Sequence, residues 1–98
     1  MSRKEEFCIM PCDVRWSTKR FAGAHKHHIF GGMPNRKHSD EDGLVIFLTP
    51  EMHNMSNKGI HFNTEFDLYA KRKAQQVWQE FYGKDKKAFI RRYGKSYL

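Results

Sequence analysis

His27-His28-Ile29-Phe30-Gly31-Gly32 and Thr49-Pro50-Glu51-Met52-His53-Asn54-Met55-Ser56-Asn57 are the two stretches on which the fold turns. The first ends a segment, Ala22 to Phe30, that reads as a strand, with turn material behind it at Gly31-Gly32 and Pro34-Asn35. The second opens as a helix. Thr49 can cap the free amides and Pro50 suits the first helical position. That helix is short and ends near Asn57-Lys58-Gly59, where glycine tolerates the left-handed conformation. Between the two lies Leu44-Val45-Ile46-Phe47-Leu48, a continuous apolar run of strand length that reads as a buried strand. A hairpin followed by a short helix is the predicted core.

Outward from that core, Met1 to Glu6 is polar and expected to be frayed. Phe7 to Trp16 reads as irregular chain or short strand, interrupted by Pro11. The stretch Met33 to Gly43 reads as a long polar loop, and long loops inside small domains are usually functional or disordered. A second helix start falls at Asn63-Thr64, with Asp67 placed as in a capping box. Phe66, Ala70, Ala74, Val77, Trp78 and Phe81 then recur at spacings of three and four, predicting a helix from about Glu65 to Tyr82, stopped by Gly83. Asp85 caps a last helix that turns Phe89 and Ile90 inward and Arg91-Arg92 outward, closed by Gly94. The fold class is therefore α+β: a β-hairpin, a short helix and two C-terminal helices, all in one domain spanning residues 1–98.

The chain has 98 residues, enough for one small core, and its 14% aromatic content supplies surface to bury against the ordering entropy. So thin a core leaves room for a bound ion or a partner to contribute stability. The formal charge is +7 before any histidine is protonated, which favours an anionic partner, nucleic acid ahead of an anionic membrane. No apolar run approaches the ~18 residues of a membrane span. The charged N-terminus lacks the apolar segment of a signal peptide, so the cytoplasm is the expected compartment and the cysteines are expected to stay reduced. Cys8 and Cys12 cannot by themselves complete a tetrahedral zinc shell, and they read as packing thiols or the remnant of a zinc knuckle rather than a working metal site. A structural zinc domain built from both cysteines and two histidines is the least favoured reading.

The histidines carry the chemistry. His53 and Asn57 lie four apart and share one face of a helix. His27 and His28 are strand neighbours that point to opposite faces, so both reach one site only where the strand ends or bulges, as Gly31-Gly32 permits. His27, His53 and Asn57 would then hold one divalent ion with positions left open, which describes a catalytic rather than a structural site. His28, with an ordinary pKa of ~6.5, suits a general base that takes a proton from water. The ion would neutralise charge on a phosphodiester as that water attacks phosphorus. Arg36 and Lys37 beside the site are candidate phosphate contacts, and Lys71, Arg72, Arg91 and Arg92 extend the basic surface. His61 reads first as a turn residue, with an accessory ligand or a phosphate contact as the alternatives; His25 and His38 read as exposed and without a role.

This pattern resembles the HNH, or ββα-metal, nucleases. The doublet His27-His28 followed after twenty-four residues by His53-x-x-x-Asn57 is close to the spacing of the colicin-type nuclease toxins. The features HHIFGG, NRKHSDEDG, HNMSNKGIHFN and F-I-x-R-x-G-x-x-Y-L are similar to those of small HNH proteins of phages and prophages, over nearly everything after Phe7. The resemblance implies a small ββα-metal core, a metal-dependent endonuclease acting on DNA more than RNA, and a host bacterial cytoplasm. It implies His27, His53 and Asn57 as ligands of one ion (Mg, Mn, Ni or Zn) and His28 as base, with the reverse assignment, His27 as base, also open.

Two departures stand out. The family's central asparagine, which orients the base, has no counterpart where Asp42, Gly43 and Leu44 stand. Thr49 and Met52 occupy the places of a C-x-x-C, so no knuckle zinc is expected. The alternative function is a non-catalytic phage protein on the same scaffold, one that binds nucleic acid or inhibits a host defence nuclease through a phage or host protein partner.

Overall fold

The apolar run Val45–Leu48 forms β2, buried along its whole length, and it explains the rest of the layout. It pairs antiparallel with β1, His25–His28, in the register His25↔Leu48, Lys26↔Phe47, His27↔Ile46 and His28↔Val45. Phe47 exchanges both of its backbone hydrogen bonds with Ser17, at 2.9 and 2.8 Å. A residue in a strand aims its N–H and C=O to the same edge, so β1 occupies one edge of β2 and the Ser17 segment the other. A strand covered on both faces and both edges is expected to read as an unbroken apolar run, and this one does. The computed structural model describes residues 7–55 and 59–98; Met1 to Glu6, expected to fray, lies outside them.

In order, the elements are β1, α1 (Asn35–Asp42), β2, a π-helical turn (Glu51–Met55), α2 (Thr64–Tyr82) and α3 (Lys86–Tyr93). The chain is thus α+β, a two-stranded antiparallel hairpin with helices. No helix among the described residues is long and apolar enough to cross a membrane.

Three boundaries differ from expectation. The strand predicted over Ala22–Phe30 is four residues long: a turn closed by Ala24 N to Phe21 O at 2.9 Å precedes it, and past His28 only Ile29 N still bonds across, to Leu44 O at 3.0 Å. The short helix after Thr49 is wound as a π-helical turn, although Thr49 Oγ1 still accepts from Met52 N at 3.2 Å as its capping role requires. The largest difference is Met33–Gly43, read as a loop, which contains α1. Its sequence, Asn-Arg-Lys-His-Ser-Asp-Glu-Asp, has no apolar residue, so no hydrophobic period announces it. Polar side chains hold it instead. Ser39 is fully buried, its hydroxyl accepting from Phe30 N at 3.0 Å and donating to Phe30 O at 3.3 Å. The Asp42 carboxylate, also buried, accepts from Trp78 Nε1, Tyr93 OH, and Nε and Nη2 of Arg92, at 2.6–2.9 Å. Gly43 then ends the helix at φ +79, where a Cβ would press to 3.0 Å on the Phe7 ring.

The C-terminal helices follow the pattern closely. Asn63, rather than a capping box at Thr64, caps α2 by accepting from Phe66 N; Asp67 pairs instead with Lys71 at 2.8 Å. Phe66, Ala70, Ala74 and Trp78 are buried as the stripe predicts, whereas Phe81 stays 57% exposed. Gln75, on no apolar stripe, is fully buried and binds Ser96 Oγ and Tyr97 N, fastening the C-terminal tail to α2. Asp85 caps α3 as expected, but Tyr93 takes the inward place beside Phe89, and Ile90 is exposed. Cys8 is half-buried, donates to Val45 O at 3.1 Å and has a raised thiol pKa because of burial, while Cys12 is exposed; both are free.

Removing the Asp42 carboxylate should strip four donors of their acceptor and leave Arg92 with only the exposed Glu41 carboxylate, at 3.1 Å, as its pair. Asp42→Ala is expected to lower unfolding free energy by about 2–4 kcal/mol, read by urea denaturation, with Asp85→Ala costing only about 1 kcal/mol as loss of a cap.

Candidate metal centre

Residues two apart in a strand share a face, and on β1 that places His25 and His27 together, with His28 turned the other way. Opposite them, the π-helical turn presents His53. The chain then returns past residues 56–58 and lays Ile60 and His61 back along the turn, through Ile60 N to Met52 O at 2.7 Å and His61 N to His53 O at 3.2 Å. Gly59 makes the return possible. A Cβ there would stand 2.8 Å from His53 O and 2.9 Å from His53 C, so only glycine fits against that backbone.

The result is a cluster of imidazoles. One nitrogen from each of His27, His53 and His61 lies within 4.8 Å of the others. His53 Nε2 and His61 Nε2 are 2.9 Å apart, and the ring centroids of His27 stand 5.2 Å from His53 and 5.0 Å from His61. His27 is only 6% exposed, and its Nε2 is buried without a hydrogen-bond partner among the described residues. Buried polar nitrogens are normally satisfied, and an unpaired one on a ring beside two other imidazoles is compatible with ligation of an ion. Three imidazoles are a donor set that a divalent transition ion fits.

Burial and neighbouring charges favour the neutral form of two members of the cluster. Burial first, and then the proximity of His61, His53, His28 and Lys71, push the His27 pKa down to about 3. Burial, then His61 and His25, lower that of His53. A metal-binding imidazole must give up its proton, and these two have already done so near neutral pH.

His28 occupies a different environment. Its Nε2 is 3.4 Å from Asp40 Oδ1, on α1, and Asp40 also takes Lys26 Nζ at 2.8 Å. Burial lowers the His28 pKa against the opposing pull of Asp40. Lys26, first among its partners, holds the Asp40 carboxyl below the usual carboxylate range. The carboxylate beside His28 thus comes from α1, two residues before the buried Asp42, which faces Trp78 and Arg92 instead.

Two clefts flank the cluster. One, of about 310 Å³, is lined by His27, His28, His61, Thr64, Asp67 and Lys71. The other, of about 320 Å³, is lined by Lys26, His27, His28, Arg36, His53 and His61.

Of the predicted site residues, His27, His28, His53, Arg36 and Lys71 border this region, and Asn57 lies outside the described residues. His61 joins the cluster proper. His25, read as exposed, is half-buried with its Nδ1 3.0 Å from His53 Nδ1, and His38 is half-buried edge-on to Tyr93. Lys37 and Arg91 are exposed on α1 and α3, Arg72 donates to Tyr97 O at 3.2 Å, and Arg92 is drawn inward to Asp42 and Glu41. An outward Arg92 was expected from its helix position; the buried carboxylate on α1 overrides that. The signal that was available for His25 is its two-residue spacing from His27 on a strand.

Comparison with known protein families, curated proteins and solved structures finds no match to this chain.

The lowered pKa of His27 has a consequence for stability. The unfolded chain binds protons at an ordinary histidine pKa while the folded chain does not, so the contribution is complete above about 6.5 and is lost as pH falls toward about 3. Metal-free protein is expected to lose about 1.4 kcal/mol per pH unit across that window, with His53 and His28 shifted in the same direction; urea denaturation at stepped pH in EDTA checks the slope. Gly59→Ala is expected to cost about 1–3 kcal/mol in the same assay, since the obstacle is backbone that cannot swing aside.

Proposed function

We propose that this chain is a metal-dependent endonuclease of the HNH type, hydrolysing phosphodiester bonds in nucleic acid, DNA ahead of RNA. The observation that carries the reading is the convergence of His27, His53 and His61, with the orphaned His27 Nε2, on the wall of clefts that also hold His28 and basic side chains. The antiparallel pair β1–β2, with α1 inserted between its strands and the His53 turn after it, supports a ββα-metal arrangement. The net charge of +7 supports a polyanionic substrate.

In this reading His27, His53 and His61 hold one divalent ion, and Asn57 remains a predicted further ligand. An ion held there would supply positive charge to offset the negative charge that develops on the phosphate. His28, kept neutral by burial, removes the proton from the attacking water through the nitrogen turned away from Asp40, while Asp40 holds the ring and stabilises the imidazolium that forms. Arg36 in one cleft and Lys71 in the other contact phosphates on either side of the scissile bond. An all-imidazole set favours ions such as Ni²⁺ or Zn²⁺, since Mg²⁺ prefers oxygen ligands. A phage origin and a bacterial cytoplasm remain the setting implied by the family resemblance.

The test is cleavage of supercoiled DNA by the metal-free chain reloaded with Mg²⁺, Mn²⁺, Ni²⁺ or Zn²⁺. Nicking is expected with a transition ion, abolished by EDTA, and slowed about 10²–10⁴-fold in His28→Ala with ion uptake unchanged. Salt-sensitive DNA binding with no cleavage in any ion would replace this reading with the non-catalytic binding module, and cleavage indifferent to EDTA would overturn the metal dependence.

A further inference from the structure

His25 belongs to no part of the ligand set, yet it touches one ligand directly. Its Nδ1 lies 3.0 Å from His53 Nδ1, the rings meeting edge-on with centroids 5.1 Å apart. His53 is therefore engaged at both nitrogens, Nδ1 by His25 and Nε2 by His61. Proton accounting decides what this means. A neutral imidazole carries one N–H and one lone pair, so two Nδ1 atoms make a hydrogen bond only when one of them is protonated. An ion shared with His61 needs the lone pair on His53 Nε2. The single proton of His53 must then sit on Nδ1, and His25 must accept it.

We propose that His25 is a positioning residue for the metal centre: its Nδ1 accepts from His53 Nδ1–H, fixes that tautomer and turns His53 Nε2 toward His27 and His61. The inference rests on the metal-dependent reading above and adds a residue that the reading did not contain. His25 is not a fourth ligand. The two nitrogens of one imidazole point away from each other, so an ion on His53 Nε2 lies across the ring from His25. It is also more than filling, because the contact sets nitrogen against nitrogen at hydrogen-bond distance. Outer partners of this kind orient the ligand and raise its basicity, and their loss typically weakens metal binding 10–100-fold.

The experiment uses the full chain and Co²⁺ as the probe, with affinity read from its visible absorption. His25→Phe keeps a ring but no acceptor, whereas His25→Asn keeps an acceptor near the place of Nδ1. H25F is expected to weaken Co²⁺ binding about 10–100-fold and H25N to retain most of the affinity, both with wild-type circular dichroism. Long-range ¹H–¹⁵N spectra of the Zn²⁺-loaded wild type are expected to show the His53 proton on Nδ1. Wild-type affinity in H25F, equal losses in H25F and H25N, or a His53 proton on Nε2 would each overturn the role of His25 while leaving the metal centre standing. A wild-type chain that takes up no Co²⁺ would overturn the metal centre itself, and His25's role with it.

Discussion

The buried carboxylate of Asp42 is the constraint on which the rest of this structure depends. It sits at the C-terminal end of α1 and gathers donors from α2, through Trp78, and from α3, through Arg92 and Tyr93. Its backbone carbonyl takes a further bond from Tyr82 OH at 2.9 Å. A carboxylate out of water is costly unless paired and hydrogen-bonded, and this one is both. Burial, then the carboxylate itself, push the Tyr93 pKa far up, so its hydroxyl stays a donor. The contacts amount to a polar weld between the hairpin end of the molecule and its two C-terminal helices. Without it α1 has little reason to fold, since its sequence buries no apolar side chain.

That weld reaches the candidate site through α1. With the last residue of the helix pinned, Ser39 faces inward and clamps both backbone groups of Phe30, two residues beyond His28. Asp40, one step along, faces out toward His28 and Lys26. The cluster itself is paid for in stability. An orphaned, buried His27 Nε2 costs about 1–3 kcal/mol, a large share of what so small a domain can hold. A ligand that binds only the folded chain returns that cost by mass action.

What could be read from the sequence follows from which forces leave a periodic trace. β2 and α2 were legible because apolar burial writes itself as a run or a stripe, and the glycine stops and the Asp85 cap were legible because their chemistry is local. α1 was not, because it is held by a serine and an aspartate whose partners lie up to 51 residues away. His61 was underrated for a related reason: a close approach at Gly59, rather than any helical spacing, returns it to His53. The adjacent pair His27-His28 drew attention from the more telling pair, His25 and His27, which share a strand face.

The doublet nonetheless has a physical logic. Adjacent residues in a strand point to opposite sides, so two identical side chains one peptide apart can enter unlike surroundings. His27 is buried beside His53 and His61, where burial first, and then the neighbouring histidines and Lys71, push its pKa down to about 3. His28 stays half-buried beside the Asp40 carboxylate, which favours its protonated form while burial opposes it. Environments that separate the behaviour of like groups are how one fold assigns a ligand and a base from the same residue type. The order matters too. Reversing the roles would ask the most desolvated imidazole of the cluster to become an imidazolium beside His53 and His61, with no carboxylate among the causes that shift it. On electrostatic grounds, then, the proposed reaction has His27 as the ligand and His28 as the base.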